Sequence, residues 1–151
     1  MKISTKARYG LRALVDLAVH STGEQVPLIY IAKRQSLSIN YLEQVFALLK
    51  KSGIVKSVKG AQGGYILGRE VSSITVGDVI RAIEGEILIV DEEMKRSDTT
   101  LLYQNMQECL QKQVWDKITE SVCQVMEEIT LEDLTKDYQT LMHEDLNMYY
   151  I

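Results

Sequence analysis

Residues 55–68 are VKSVKGAQGGYILG, a stretch that places four glycines and two lysines in fourteen positions. Short apolar runs flank the glycines, so 54–58 and 65–67 are predicted to be strands and 59–64 the turn between them, where glycine permits a positive φ. A nucleotide-binding loop is the competing interpretation. The glycine spacing matches neither phosphate-binding pattern, and a strand rather than a helix follows. The stretch therefore predicts a β-hairpin with one basic arm.

Two short helices are predicted directly before this hairpin. Pro27 suits the first turn of a helix at Leu28–Gln35, and Ser38 can cap a helix at 39–52 that Gly53 ends. Two helices joined by a tight turn form the helix-turn-helix arrangement. A plain αα-hairpin with a solvated polar face is the alternative for the helices alone. With the hairpin following, the pattern predicts a winged helix-turn-helix whose wing is the hairpin.

The second helix of a helix-turn-helix enters the major groove with its first residues at the base edges. Asparagine and glutamine can bind adenine with two hydrogen bonds, and glutamate can accept one from cytosine. In the wing, Lys56 and Lys59 supply charge for phosphates or the minor groove, and Gly60 lets the backbone approach the DNA. The residues predicted to contact DNA from the second helix are Ser38, Asn40, Tyr41, Glu43 and Gln44.

Charge is distributed unevenly along the 151 residues. Residues 1–70 contain eleven Lys and Arg against four Asp and Glu, a net +7, and residues 71–151 contain six against seventeen, a net −11, which gives −4 for the chain. This division suggests that only the first half meets a polyanion, although chance or solubility could also produce it. The polar start and the lack of an apolar run of about 18 residues predict neither a signal peptide nor a membrane segment. Two cysteines do not make a disulfide framework, so a reducing cytoplasm is the expected location.

The sequence predicts two more helices, one before and one after the winged helix-turn-helix segment. At Thr5–His20, apolar residues recur at spacings of three and four, which is typical of an amphipathic helix. Another helix begins within 73–78, where Thr75 and Asp78 have the spacing of a capping box. The fold expected from these elements is mainly α with a small β-hairpin. Residues 1–85 would form the winged helix-turn-helix domain.

The second half, 86–151, is expected to hold a connector, a long dimerisation helix and a C-terminal helix with a tail. The long helix is predicted at 98–128, and the last helix from a cap at Thr130 to about residue 143. A stripe of apolar residues needs a cover, and a second copy of the chain is the expected one. Packing of the stripe on its own domain is the alternative. The stripe consists of Leu102, Met106, Leu110, Trp115, Ile118, Val122 and Val125.

Four motifs resemble the signature of the Rrf2 family of winged-helix regulators, without evident gaps over about residues 1–85: KISTKARYG at 2–10, YLEQ at 41–44, GIVKSVKG at 53–60 and GGY at 63–65. The resemblance implies a homodimeric bacterial transcription factor that binds double-stranded DNA. It also implies DNA contacts from Tyr41, Glu43 and Gln44 and from the wing around Lys59 and Gly60. Lys59 stands where many members have arginine, which implies weaker insertion into a narrow minor groove.

Family members that bind an iron–sulfur cluster carry three closely spaced cysteines before the long helix. Residues 85–108 contain no cysteine and no histidine. Cys109 and Cys123 are fourteen positions apart, about 21 Å along one helix, so they cannot share a cluster within a subunit. Neither a metal nor another cofactor is predicted, and both cysteines are expected to be buried structural thiols. No nucleophile and base are suitably spaced, so an enzyme is not expected.

The chain ends in LNMYYI at 146–151, an apolar and aromatic terminus that resembles the tail of the cysteine metabolism repressors of the same family. That resemblance implies repression of genes of cysteine and sulfur metabolism, with a cysteine synthase as a partner of Met148, Tyr149, Tyr150 and Ile151. A tail strand packed on the protein's own dimer is the alternative. Two other functions stay open: a cluster-free regulator that responds to thiol oxidation or a small molecule, and an adaptor that has lost DNA binding.

Overall fold

The computed structural model describes residues 2–90 and 100–150 of the chain. These residues form a mainly α-helical winged helix-turn-helix fold with a 3-10 turn at Val71–Ser73 and a π-helical turn at Gln111–Trp115. In chain order the elements are α1 Thr5–His20, α2 Leu28–Gln35, α3 Ile39–Lys51, β1 Val55–Val58, β2 Gly64–Leu67, α4 Val76–Glu84, α5 Leu101–Leu110, α6 Asp116–Glu128 and α7 Leu131–Tyr149.

The helix-turn-helix is confirmed at α2 and α3. Ser36 ends α2 in the left-handed conformation with φ 53°, which lets the Leu37 N–H donate back to the Ala32 carbonyl at 2.9 Å. Ser38 then caps α3, because its hydroxyl accepts from the Tyr41 N–H at 3.4 Å. The three residues between the helices therefore satisfy the end of one helix and the start of the next.

The hydrophobic core lies between α1, α2, α3 and the base of the wing. Its largest side chains are completely enclosed, and each contributes about 1.5–3 kcal/mol by leaving water. They include Leu14, Leu17, Ile31, Leu42, Phe46, Leu49 and Ile54. Because α3 contributes its inner face to this cluster, its outer face is left for contact with other molecules.

The wing is confirmed as an antiparallel hairpin, with β2 beginning one residue before the predicted start. Val26, in the segment before α2, exchanges two backbone hydrogen bonds of 2.9 Å with Tyr65, and the Tyr65 ring packs edge-on against Phe46 at 4.9 Å between centroids. Gly64 permits this pairing, because a β-carbon there would lie 2.5 Å from the Val26 carbonyl oxygen. The wing is thus fixed to both α2 and α3.

Segments far apart in the chain meet at the starts of α4 and α7. Both helices begin with a complete capping box, as predicted for the first from Thr75 and Asp78. Backbone hydrogen bonds of 2.9 and 2.8 Å join residues 74–76 to residues 129–131, and the Leu131 side chain is part of the main core. The division into domains after residue 85 stays a prediction, and the second half contacts the first extensively.

The C-terminal helices differ from prediction in two ways. The long helix is interrupted by a π-helical turn at Gln111–Trp115, and its predicted start at residue 98 lies outside the described residues. The predicted end of the last helix at about residue 143 is wrong, because α7 continues to Tyr149. Neither glycine nor proline occurs between these positions, so the backbone has no reason to leave the helix earlier.

Candidate nucleic-acid interface

The first turns of α3 present a polar, exposed surface. Ser38, Asn40, Glu43 and Gln44 are all exposed, whereas the core-facing residues of the same helix are buried. The two sets alternate because an α-helix repeats every 3.6 residues, so burial of one face fixes the direction of the other. The exposed amides and carboxylate are therefore free to meet the edges of base pairs.

Tyr41 differs from the other predicted base-reading residues because it is half-buried. Its ring stands edge-on to the Tyr9 ring of α1, with 6.2 Å between centroids. The Arg12 guanidinium lies over the Tyr9 ring, 4.7 Å from its centroid, and donates to the Gln35 carbonyl at 2.8 Å. This arrangement holds the end of α2 and the start of α3 against α1, and no pattern in the sequence predicts it.

A partly buried ion pair fixes α2 on α1. Asp16 is 5% exposed, and its carboxylate accepts from Arg34 at 2.7 Å and from the Gln35 amide at 2.7 Å. The hydrogen bond to Asp16 raises the pKa of Arg34, so the guanidinium stays charged. His20 donates from Nδ1 to the Asp16 carbonyl at 2.8 Å, which supports the end of α1. Removing either charge would leave its partner uncompensated.

The wing carries its predicted residues on the outside. Lys56, Lys59 and Gly60 are exposed, and Gly60 has φ 125°, a conformation that disfavours any side chain. The Gly63 N–H closes the turn by donating to the Gly60 carbonyl at 3.0 Å, and the Gln25 side chain donates to the Gln62 carbonyl at 2.6 Å. The tip is therefore held toward the side on which α2 begins.

Helix α3 and the wing border a common groove. Glu43 from α3 lines it together with Ser57, Val58 and Gly63 from the wing, and Pro27 and Ile29 at the start of α2 line it as well. Ile29 is exposed at this groove, a position that no sequence motif indicated. The arrangement can therefore contact a duplex at two places, by α3 in one groove and by the wing beside it.

The predicted dimerisation stripe is largely uncovered in this chain. Leu102 is 82% exposed, Met106 60% and Val125 56%, and none of the described residues of α5 is buried. Leu110 and Ile118 are also exposed, while Trp115 and Val122 are half-buried. Nearly all of the stripe is thus available to another molecule.

The tail was expected as a strand or as a docking segment. The prediction of a strand is wrong, because α7 extends through Tyr149. Met148, Tyr149 and Tyr150 are exposed, the last two by 88%. Ile151 lies outside the described residues. The described fold of this chain therefore buries none of the three aromatic and apolar side chains that precede the terminus.

The expectation of buried cysteines is wrong for Cys109, which is exposed on α5, while Cys123 is half-buried on α6. Among residues 2–90 and 100–150, no three His, Cys, Asp or Glu side chains are grouped so that they could hold a metal ion. None of the helices in these ranges has the length and apolar character that a membrane crossing requires.

Known proteins resemble this chain over most of its length. Residues 3–137 match the Rrf2 family, described as an iron-dependent transcriptional regulator. The HTH-type transcriptional regulator IscR of Vibrio atlanticus (strain LGP32) is 40% identical over 141 residues, which are 93% of this chain and 79% of the relative. The IscR of Xenorhabdus nematophila is 36% identical, with 93% and 83% covered.

Two solved structures are similar to the fold described above. The structure of CymR, the global cysteine regulator of B. subtilis, has a TM-score of 0.74 at 38% identity and covers 90% of this chain and 97% of its own. The structure of T. potens IscR has a TM-score of 0.68 at 43% identity and covers 91% and 88%. The similarity thus includes the C-terminal helices as well as the winged helix-turn-helix.

Proposed function

The chain belongs to the Rrf2 family of DNA-binding transcriptional regulators, and we propose that it is a homodimeric repressor that recognises its operator through α3 and the wing. One observation carries this proposal: the exposed Glu43 of α3 borders the same groove as Ser57, Val58 and Gly63 of the wing, and the wing also carries the exposed Lys56 and Lys59. This proximity supports base reading by α3 beside phosphate binding by the wing, the two kinds of contact that sequence-specific binding requires.

The dimer is proposed from the uncovered face of α5 and α6. Exposure of an apolar surface of this length to water is unfavourable. The same helix of a second chain can bury it, and such a chain is present wherever the protein is made. A twofold dimer would present two copies of α3 to DNA. The two half-sites of the operator would then lie about 34 Å apart or a multiple of that distance.

Control of cysteine and sulfur genes is the finer part of the proposal. Its support is the similarity to the global cysteine regulator CymR over 90% of the chain, together with the absence of cysteine and histidine from residues 85–108. The IscR relatives and the iron-dependent description of the family favour an iron signal instead. We place this chain with the cysteine regulators because its sequence offers no cluster ligands in that segment. Its DNA target implies a cytoplasmic location.

Selection of bound genomic fragments tests the function. We expect a small set of related pseudo-palindromic sequences near sulfur and cysteine genes. Glu43→Ala combined with Gln44→Ala should abolish the sequence preference, because both side chains are exposed at the predicted reading position. Gln139→Ala, an exposed change on α7, is the matched control and should leave the preference unchanged. Random recovery of fragments by the unmodified protein would contradict the proposal and favour an adaptor without DNA binding.

Docking of a cysteine synthase on the tail is proposed from the exposure of Met148, Tyr149 and Tyr150. Two aromatic rings and a methionine can bury enough apolar area for micromolar binding when the partner's pocket is preformed. The terminal Ile151 would contribute its carboxylate to backbone N–H groups of the partner.

The exposure of Cys109 favours a second candidate, regulation by thiol oxidation. Cys109 lies on α5, close to the predicted dimer stripe, where two copies of the chain would meet. Under this alternative, peroxide should change operator affinity in the unmodified protein. Serine at both Cys109 and Cys123 should abolish the change, and a response that survives in this variant would exclude the thiols.

A further inference from the structure

Four charged side chains form a continuous network from the wing to the long C-terminal helix. Arg69, which directly follows the wing, donates to Asp78 of α4 at 3.2 Å. Asp78 also accepts from Arg81 at 3.3 Å, and Arg81 in turn forms an ion pair with Glu127 of α6. The network therefore joins three elements that are separated by up to 58 positions in the sequence.

The network is partly exposed, and the start of α4 anchors it. Glu127 accepts a second hydrogen bond from the Thr75 hydroxyl at 3.1 Å, and that hydroxyl also caps α4 by accepting from the Asp78 N–H at 3.0 Å. Gly77 leaves the space for Glu127, since a β-carbon at this position would collide with its carboxylate. Gly77 lies in the first turn of α4, and the close approach of Glu127 explains why a residue without a side chain occupies this position.

Arg69 is also held by contacts near the base of the wing. Its guanidinium donates to the Ser73 carbonyl at 3.3 Å. The preceding residue, Gly68, donates its N–H to the Ile54 carbonyl at 2.8 Å, and a side chain there would collide with Gly53. The base of the wing therefore cannot move without also moving Arg69 relative to α4.

We propose that Glu127 is a positioning residue for the wing, and that the network carries the placement of α6 to the DNA-binding hairpin. This inference rests on the proposed function. Helix α6 continues from α5 through the π-helical turn, and the apolar face of α5 is the exposed face proposed for dimerisation. Any event that shifts the long helix shifts the Glu127 carboxylate, and Arg81, Asp78 and Arg69 pass the shift to the wing.

Hydrogen–deuterium exchange of the full-length protein tests the network without DNA. Glu127→Gln should increase the exchange rate of the β1 and β2 amides about threefold or more relative to those of α1, because the wing loses its tie to α6. Gly77→Ala should do the same by displacing Glu127, although alanine favours the helix. Glu108→Gln is the matched control, since it breaks an ion pair with Lys112 on the same long helix, and should leave the wing unchanged. Unchanged wing exchange in both test variants would overturn the proposal.

A double-mutant cycle on a selected operator tests the consequence for DNA binding. Lys59→Ala should weaken binding at least about threefold in the otherwise unmodified protein. In the Glu127→Gln background the same change should cost less than twofold, because the wing has lost its connection through the network to α6. Equal factors in both backgrounds would overturn the proposal.

The two measurements separate this inference from the proposed function. A Lys59→Ala change that costs nothing in the unmodified protein would count against DNA binding by the wing. In that case the exchange of the wing amides still decides whether Glu127 positions the hairpin.

Discussion

Asp78 lies where the wing, α4 and the segment that precedes α4 meet. Its carboxylate accepts from the Thr75 N–H at 3.1 Å and from the guanidinium groups of Arg69 and Arg81. Burial acts to raise the pKa of Asp78, but these hydrogen bonds and the nearby positive charges outweigh it and hold that pKa below its ordinary value. The ionised form therefore stabilises the folded state.

The lowered pKa of Asp78 predicts a pH dependence of stability. Because the folded pKa lies below the unfolded value of about 3.9, the contribution is complete above that pH and is lost as pH falls through the folded value. Asp78→Asn should lower the free energy of unfolding by about 1 kcal/mol at pH 7. The gap between variant and unmodified protein should close below about pH 3.9.

Urea unfolding between pH 7 and pH 2.5 measures this gap. Glu144→Gln, an exposed change on α7, is the control and should stay within about 0.5 kcal/mol of the unmodified protein. A gap for Asp78→Asn that stays constant over the whole range would contradict the assigned role of the carboxylate.

At the scale of elements, α5 contrasts with α3. Both are amphipathic, but the apolar face of α3 is enclosed by its own domain, whereas that of α5 is exposed. The π-helical turn after α5 adds one residue to a helical turn and so rotates the apolar stripe of α5 relative to that of α6. The two parts of the long helix can therefore serve different contacts.

Met106→Lys tests the exposed face of α5. A charge in the middle of a dimer seam loses water without gaining a partner, so the dimer dissociation constant should rise at least tenfold, about 1.4 kcal/mol. Sedimentation over a range of concentrations measures it. Gln104→Lys introduces the same charge on the opposite side of the helix and should leave the dimer intact. Equal effects of both changes would argue against the stripe as the interface.

Removal of residues 149–151 tests the end of α7. Because Tyr149 and Tyr150 are exposed, we expect the shortened protein to keep its dimer and its melting temperature within about 2 °C, and to lose co-purification with the synthase. Asn147→Ala, an exposed change one turn earlier, should retain the association. A clear drop in melting temperature, with no synthase bound before or after truncation, would show that the tail packs on the protein's own dimer.

At the scale of the whole molecule, the chain is divided by charge into a basic first half and an acidic second half. The first 70 residues carry the net positive charge, and they contain both α3 and the wing. The acidic second half repels DNA and so helps to orient the protein as it approaches. Binding should therefore weaken with salt in proportion to the number of phosphates that the first half contacts.

Lys59→Ala should reduce affinity for all DNA sequences alike and lower the slope of log affinity against log salt by about one unit, because one phosphate contact is lost. Fluorescence anisotropy at several salt concentrations measures the slope. Lys136→Ala removes a lysine of α7 that pairs with Glu132, and it should change neither slope nor affinity. A loss of affinity confined to the operator would mean that Lys59 reads bases instead.

The local features of the fold could be predicted from the sequence. Capping at Thr75 and Thr130 and the bounds of α1 and α2 depend on residues within about four positions of one another. The hairpin pairs residues at most twelve positions apart, and its glycine-rich turn is a local signal. Apolar periodicity then indicated which face of α3 would be buried and which would be exposed. For that reason the residues of α3 predicted to contact bases are exposed, with the exception of Tyr41.

Only the tertiary structure decided the contacts between distant segments. The Tyr9 ring meets Tyr41 across 32 positions, Asp16 meets Arg34 across 18, and Glu127 meets Thr75 across 52. Each of these side chains alone is compatible with a solvent-exposed surface. Their partners are set by how the helices pack, and packing depends on the whole core at once, so no local pattern in the sequence specifies it.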